Sequence, residues 1–365
     1  MFWRKGSYNG TAAWPISPTT SPCNAVFCRC DAPRARVWDA SCEMRILPAV
    51  ALALAISATS AGAQEHASGP VTVMVGFAPG GPTDTIARII TERMRLSLGQ
   101  TLIIENVPGA TGTIAISRVV RAAPDGHTLS MGNWTTHVGA PAIYPISFDV
   151  LRDLAPVSLL PIAPLLITAR KDFPANDIQQ LIAWLKANPG QATAAIVGFG
   201  SSGHVSLIDF EKKTDTRFQF VPYRGGGPAM NDLVAGQVDI RLTEASTALP
   251  YLPSGKIKAY AVLAKTRWVA APNIPTIDEA GVPGLHIALW HGLWAPKNTP
   301  QDVIARLNAA VVDTLADPLV RRRIADLGME IPPPEKLTPA ALHAHHKAEI
   351  EKWWPIIKAA GIIAQ

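Results

Sequence analysis

The chain has 365 residues, of which 48% are hydrophobic and 17% charged, a composition that suits two globular domains and excludes disorder throughout. Its formal net charge is +5, but residues 1–63 hold six Lys/Arg and three Asp/Glu, so the remainder carries only +2. No long basic run is left in that remainder. We therefore expect no nucleic-acid partner and no strong attraction to a membrane surface.

Residues 44–63 have the three parts of a secretory signal peptide. Met44-Arg45 is a short basic start, Ile46–Ala58 is apolar, and Ala61-Gly62-Ala63 is a small-residue cleavage site. The apolar run is shorter than the roughly 18–20 residues that a membrane span needs. We therefore expect export to the periplasm, with removal of residues 44–63.

Residues 1–43 precede this signal peptide, which is the wrong place for a folded domain. We predict that they are a non-native or disordered extension and that translation starts at Met44. The four cysteines all lie in this extension, beside Pro and Arg and without the ordered spacing of a metal site: Cys23, Cys28, Cys30 and Cys42. The cysteine-free remainder suits an oxidising compartment, and we expect neither a metal nor a cofactor.

Beyond the signal peptide, short apolar runs alternate with amphipathic stretches. The predicted strands are 71–77, 102–105, 127–131, 165–170, 194–197, 220–222, 238–242 and 258–263. The predicted helices are 83–98, 112–122, 178–187, 204–213, 229–235, 304–316 and 347–360. This alternation predicts an α/β fold with two similar halves, each built on a parallel sheet covered by helices. Ligands of such folds bind beyond the carboxyl ends of the strands, so the loops there are the candidate site.

The first such loop, residues 77–84, joins the first strand to the first helix. Gly80 and Gly81 let the backbone approach a ligand, and the helix N-terminus offers N–H groups and a partial positive charge. Thr83 or Asp84 would cap the helix. An anion site and an ordinary Gly-Pro turn are both compatible with this loop. It is not a nucleotide P-loop, because no Gly-Lys-Ser/Thr follows.

A second glycine-rich loop, residues 198–204, also precedes a helix. Ser201 and Ser202 can donate to a carboxylate through hydroxyl and backbone N–H groups. Ser202 and His204 also invite a nucleophile–base interpretation, but the register of a Gly-x-Ser-x-Gly elbow is absent and residues two apart diverge on a helix. We therefore expect a binding protein and not an enzyme, and a hydrolase is the least favoured interpretation. His204 would position the loop or contact the ligand.

Three further segments carry weaker signals. Residues that follow the third strand are candidates to line the pocket, although a polar loop with one packed tryptophan explains them as well: Asn133, Trp134, Thr135 and Thr136. Arg224 can pair with a carboxylate, but we interpret the glycines at 225–227 as a structural turn. His343, His345 and His346 predict a solvated helix face instead of a metal site.

Taken together, these stretches resemble the substrate-binding proteins of tripartite tricarboxylate transporters, the Bug-type (Bordetella uptake gene) receptors, over about residues 71–362. Each stretch is weak alone, but their order along the chain is specific. The matching stretches are 77–84, 105–110, 124–129, 200–204, 221–229, 235–239, 274–281 and 290–300.

The resemblance implies a type II periplasmic binding protein fold, with two α/β lobes around a central ligand cleft and a hinge of two crossovers. Lobe I would comprise 64–166 and 286–365, and lobe II 167–285. One ligand carboxylate would be held from both sides by the two glycine-rich loops, with Phe77 packing on the ligand body. The implied carboxylate contacts are Gly80, Gly81, Thr83 and Asp84 on one side, and Ser201, Ser202 and His204 on the other.

The chain departs from the family pattern at the distal end of the implied cleft. Thr243 and Glu244 stand where many relatives have an Asp-Asn pair, and Trp134 stands where smaller residues are common. Trp134 would favour a flat or apolar ligand such as an aromatic carboxylate. Glu244 would face an ammonium group and favour an amino acid.

The function implied is a monomeric periplasmic receptor. It would capture a small carboxylate, whether a di- or tricarboxylate, an aromatic acid or an amino acid, for the membrane subunits of a tripartite tricarboxylate transporter. The alternative is a sensor protein that presents its ligand to the periplasmic domain of a two-component kinase. The fold and the cleft would be the same in both cases.

Overall fold

The computed structural model describes residues 69–363. The predictions for residues 1–43 and for the signal peptide 44–63 lie outside the described residues. None of the helices in the described range combines the length and apolar character that a membrane crossing requires.

The order of elements follows the predicted alternation. The strands of the described chain are β1 Val71–Val75, β2 Leu102–Asn106, β3 Thr128–Asn133, β4 Leu154–Arg170, β5 Thr193–Ile196, β6 Gln219–Pro222, β7 Ile240–Glu244, β8 Ile257–Val262 and β9 Ala288–Pro296. Its α-helices are α1 Pro82–Leu98, α2 Thr113–Val120, α3 Ala140–Ile143, α4 Ile178–Ala187, α5 Ser202–Thr214, α6 Gly226–Ala235, α7 Ala245–Ala248, α8 Gln301–Ala316, α9 Pro318–Asp326 and α10 Pro339–Ala359.

The strands run in the order β2-β1-β3-β9-β4-β7-β5-β6, with β8 also paired to β4. β1 lies parallel between β2 and β3, and β5 lies parallel between β6 and β7, so the same three-stranded unit occurs twice. This repetition confirms the two similar α/β halves. The prediction of wholly parallel sheets is wrong, because β9 runs antiparallel to β3 and β4, and β4 runs antiparallel to β7 and β8.

Strand β4 joins the two halves. It pairs with β9 up to Pro164 and with β7 and β8 from Leu165 onward. The sequence predicted only its end, 165–170, because three prolines interrupt the preceding run and prolines are rare inside strands. The ladder with β9 shifts register beside Pro156 and Pro161, and such irregularities accommodate residues without an N–H group.

We call the elements around β1–β3 and β9 the first lobe, and those around β5–β8 the second lobe. The exact lobe boundaries at residues 166/167 and 285/286 stay a prediction. In the first lobe, α1 and α8 pack together over one face of the sheet, where Ile86 and Ile90 join Leu307, Val311 and Leu315 in one buried cluster. The apolar side of α8 is therefore part of the core.

The C-terminal helix α10 is anchored behind the end of β3. A π-helical turn, Thr135–Gly139, follows β3 directly and leaves main-chain carbonyls outside the usual helical pattern. His346 Nε2 donates to the His137 carbonyl at 2.8 Å, and Trp354 Nε1 donates to the Val138 carbonyl at 3.0 Å. These bonds attach α10 to the segment that leads out of the candidate site.

The solvated face predicted for the three histidines of α10 is wrong for His346, which is 1% exposed. His343 is exposed and His345 is half-buried. Burial lowers the pKa of His346 to about 4, so the ring is neutral at pH 7 and its single N–H serves the His137 carbonyl. Across residues 69–363, no group of three or more His, Cys, Asp or Glu side chains is arranged to hold a metal ion.

Replacing Trp354 with Phe keeps an aromatic ring but leaves the Val138 carbonyl without its donor. We expect Trp354→Phe to lower the free energy of unfolding by about 1 kcal/mol, measured by urea denaturation. Trp184→Phe is the matched control, because the Trp184 indole packs edge-on against Phe173 and makes no hydrogen bond to the described residues. Equal losses in the two variants would contradict the anchoring role.

Candidate ligand-binding site

A cavity lies where the carboxyl ends of β1, β3, β5 and β7 converge between the lobes. The N-termini of α1 and α6 form part of its wall. Its lining residues are Phe77, Gly81, Pro82, Thr83, Asn133, Thr135, Val197, Gly226 and Glu244. It contains about 280 Å³ of space not filled by protein atoms, part of it open to solvent. Its walls lie close together: about 10 Å³ of it, the space for roughly one water molecule, is open to a water-sized sphere.

The loop after β1 is held in shape by Asp84. Its carboxylate accepts from the Gly80 N–H at 3.0 Å, from Asn106 Nδ2 at 3.0 Å, and from the guanidinium of Arg88 at 2.9 and 3.0 Å. Burial would raise the pKa of Asp84, but the hydrogen bonds from Arg88, Gly80 and Asn106 outweigh burial and keep that pKa below its ordinary value. Asp84 is thus ionised and organises the loop. Neither Asp84 nor Gly80 lines the cavity, in contrast to the direct ligand contacts implied by the resemblance.

The first turn of α1 faces the cavity with hydrogen-bond donors. The N–H groups of Gly81 and Thr83 belong to the helix start, where no preceding carbonyl is in place to accept them. Asn133 Nδ2 donates to Thr83 Oγ1 at 2.9 Å, which leaves the Thr83 hydroxyl hydrogen free to donate elsewhere. Both side chains are almost fully buried. The arrangement fits an anion at the positive end of the helix dipole.

The start of α5 contacts the first lobe instead of lining the cavity. Ser201 Oγ caps α5 by accepting the His204 N–H at 3.3 Å, and the Ser202 N–H donates to Thr135 Oγ1 at 3.1 Å. His204 Nδ1 accepts from the Gly200 N–H at 3.1 Å, and no hydrogen bond within residues 69–363 joins His204 to Ser202. The nucleophile–base pair is therefore not assembled, and His204 positions its loop.

The second lobe supplies the start of α6 to the cavity. The Ala78 N–H donates to the Arg224 carbonyl at 3.1 Å, and a Cβ placed on Gly227 would lie 3.2 Å from the Pro79 carbonyl oxygen. Gly226 is itself a lining residue. These glycines allow α6 to approach the loop before α1, a structural role, and a direct contact of Gly226 with a ligand stays a prediction. The corresponding feature of the sequence is the Gly-Gly-Gly-Pro run at 225–228, which spans the start of α6.

Glu244, the last residue of β7, lines the cavity with its charge already compensated. Arg241 Nη2 lies 2.8 Å from Glu244 Oε2, and the two side chains are 1% and 7% exposed. That Glu244 faces an ammonium group of the ligand stays a prediction. Thr243 is turned into the sheet, where its Oγ1 lies 2.7 Å from Thr168 Oγ1. The role of Arg241 was not predictable from the sequence, because one basic residue inside an apolar strand does not reveal its partner.

Trp134 lies in the hydrophobic core and not in the cavity. Its indole is 0% exposed and packs edge-on against Trp353 of α10, with ring centroids 5.4 Å apart. The expected contact with a flat ligand is therefore corrected. Thr136 is also turned away, because its Oγ1 bonds to the backbone of Asn133 and to His137 Nδ1. Of the four candidates after β3, Asn133 and Thr135 line the cavity.

Two α/β lobes joined by crossovers, with a small cavity at the carboxyl ends of their strands, define a bilobal solute-binding protein. The fold is the type II periplasmic binding arrangement that the resemblance implied. Residues 86–362 match the family model described as tripartite tricarboxylate transporter family receptor, TctC. The chain belongs to this family of periplasmic solute-binding proteins, whose members include the Bug receptors.

Three relatives illustrate the similarity. BugT of Bordetella pertussis is 30% identical over 321 residues, which cover 87% of this chain and 98% of BugT. MatC from Rhodopseudomonas palustris, solved with bound malate, is 42% identical with a TM-score of 0.77, covering 79% of this chain and 98% of MatC. The R. palustris protein Rpa4515, solved with adipate, is 32% identical with a TM-score of 0.77. The match covers 81% of this chain and 99% of Rpa4515.

The buried imidazole of His204 makes stability depend on pH. Burial lowers the pKa of His204 to about 4, whereas an unfolded histidine titrates near about 6.5. The unfolded state therefore binds the extra proton first, and stability falls as the pH drops from 6.5 towards 4, by up to roughly 3 kcal/mol.

In His204→Asn, the amide oxygen can still accept the Gly200 N–H but does not titrate. We expect urea denaturation at pH 7, 5.5 and 4 to show a smaller loss of stability in the variant than in the unchanged protein. If the free energy of unfolding fell with pH by the same amount in the two proteins, His204 would not be the titrating group. The other buried histidines are present in both proteins, so their contribution cancels.

Proposed function

We propose that this chain is a receptor that captures a small dicarboxylate between its lobes and delivers it to the membrane subunits of a tripartite tricarboxylate transporter. The observation that carries the proposal is the meeting of two helix N-termini, those of α1 and α6, at one small cavity. Converging N–H groups and helix dipoles favour an anion. The malate and adipate bound by two relatives supply the chemical class.

The proposed contacts follow from the lining. The first turn of α1, with Gly81 and Thr83, holds one carboxylate, and Thr135 borders the same space. Phe77 and Val197 pack on the carbon chain of the ligand. Recognition of this first carboxylate thus depends on hydrogen bonds from neutral groups at a positive helix end, not on an arginine clamp.

Glu244 gives the cavity an acceptor beside those donors. Its Oε2 is engaged by Arg241, so the pair as a whole carries no net charge. The other carboxylate oxygen can accept a hydrogen bond from a hydroxyl or ammonium group on the ligand. The proposed ligand is therefore a dicarboxylate with room for one donor substituent.

The finer features of the proposal concern where and how the protein works. It is exported to the periplasm by residues 44–63 and acts there as a monomer, without catalysis. Lobe I comprises 64–166 and 286–365, and lobe II comprises 167–285. Support for a purely binding role comes from the separation of Ser202 and His204 into different hydrogen-bond pairs and from the family of binding proteins to which the chain belongs.

A thermal-shift screen of residues 64–365 tests the proposal. The panel contains malate, succinate, citrate, aspartate and benzoate. A ligand at about a hundred times its Kd adds about 2.7 kcal/mol of stability, a rise of several degrees in Tm. We expect dicarboxylates to give this rise. A folded protein whose Tm does not respond to any carboxylate would overturn the proposal.

Thr83→Val removes one hydroxyl from the proposed carboxylate site and conserves shape. We expect calorimetric titration to show about tenfold weaker binding of the best ligand from the screen, because a hydrogen bond to a charged group is lost. Thr91→Val is the control from the same helix, since Thr91 Oγ1 bonds to the Ala87 carbonyl inside the helix, far from the cavity. The assignment of Thr83 is contradicted if both variants bind equally well.

A further inference from the structure

A second cavity lies directly beside the first. It contains about 600 Å³ of space not filled by protein atoms, part of it open to solvent. Phe77 and Val197 line both cavities, so these two side chains form the partition between them. A ligand that spans both cavities would therefore pass beside Phe77.

The side-chain donors of this second cavity are nearly all engaged. Thr111 Oγ1 donates to the Phe199 carbonyl at 3.1 Å and lies 3.0 Å from the Tyr144 hydroxyl, which therefore donates to Thr111. The Tyr223 hydroxyl donates to Asp232 at 2.6 Å. The remaining lining residue with side-chain donors is Arg224, and within residues 69–363 no hydrogen bond or ion pair involves its guanidinium.

The charge of the second cavity is consequently positive. No acidic side chain is among the described residues that line it, and Arg224 is its one described cationic residue. The main chain of Arg224 is fixed, because its carbonyl accepts the Ala78 N–H at 3.1 Å, one residue beyond Phe77. The long side chain thus starts beside the partition, and its planar fork of N–H groups matches a carboxylate.

We propose that the cavity beyond Phe77 and Val197 is a distal subsite in which Arg224 binds the second carboxylate of an extended, unbranched dicarboxylate. This inference rests on the proposed function, since the first carboxylate occupies the cavity at the start of α1. Short diacids stay within the first cavity and do not reach Arg224. Monocarboxylates of the same length place an apolar end beside an unpaired guanidinium and gain nothing from it.

The subsite also follows from the electrostatics of the whole cleft. Glu244 lines the first cavity, and its charge is compensated by Arg241. Arg224 lines the second cavity as an exposed residue without an ion pair in residues 69–363, so its positive charge is open to a ligand. A doubly charged ligand that spans both cavities places one carboxylate at the helix ends and one at Arg224, with its carbon chain across Phe77.

Calorimetric titration of residues 64–365 with diacids of increasing length tests this assignment. The probes are succinate, glutarate, adipate and pimelate, with butyrate and hexanoate as the matched monoacids. In the unchanged protein, we expect the longer diacids to bind at least about tenfold more tightly than hexanoate. Arg224→Gln should remove most of this advantage while changing succinate binding less than about twofold. Arg224→Lys keeps the charge without the fork and should retain part of the advantage.

Arg322→Gln is the matched control, because it removes the same charge from an exposed position on α9, outside both cavities. Arg322→Gln should leave the ratio of diacid to monoacid affinity unchanged for every pair of ligands. The subsite is overturned, and the proposed function kept, if Arg224→Gln weakens succinate and the long diacids by the same factor, or weakens neither. If the unchanged protein binds none of the diacids, the subsite and the proposed function fail together.

Discussion

The close approach of the N-termini of α1 and α6 across four glycines is the constraint on which the site depends. A Cβ placed on Gly81 would lie 3.4 Å from the Gly226 N atom, and one on Gly227 would lie 3.2 Å from the Gly80 carbonyl carbon. Helix N-termini carry partial positive charge, so two of them facing each other repel. An anion between them converts this repulsion into attraction on both sides. In the proposed function, closure of the lobes and capture of a carboxylate would therefore be coupled by the same backbone groups.

The charged residues near the cleft are arranged so that the helix ends dominate its field. Asp84 is paired with Arg88, and Glu244 is paired with Arg241. The first pair holds the loop before α1 in shape, and the second provides an acceptor in the cavity wall without adding net charge. The behaviour of the buried His204 fits this pattern, because its neutral ring accepts a backbone N–H and adds no positive charge to the site.

Local sequence signals predicted most elements and one half of the site. The loop from Phe77 to Asp84 was found because two glycines between a strand and the start of a helix have a local physical meaning. The side-chain cap expected from Thr83 or Asp84 is wrong, because the N-cap residue is Gly81. Helix α4 was predicted with its observed bounds, 178–187, because its apolar residues recur at helical spacing.

The rest of the site and the full length of β4 could not be predicted, because they depend on contacts between distant parts of the chain. Whether the start of α5 or of α6 lines the cavity is decided by how the second sheet sits against the first, and both loops have the same glycine-rich chemistry. Trp134 follows a strand that ends at the site, yet its side chain is directed at α10, about 220 residues later in the chain. Strand β4 was found only in part, because its prolines are tolerated at register shifts that depend on β9.

Hydrogen exchange measured by mass spectrometry on residues 64–365, with and without saturating malate, tests the coupling of capture and closure most directly. Exchange reports how often backbone N–H groups open to solvent. The account predicts slower exchange on malate binding in both facing segments, 77–84 before α1 and 224–230 at the start of α6. Malate binding that protects only one of these segments, or neither, would contradict capture of a carboxylate between the two helix ends.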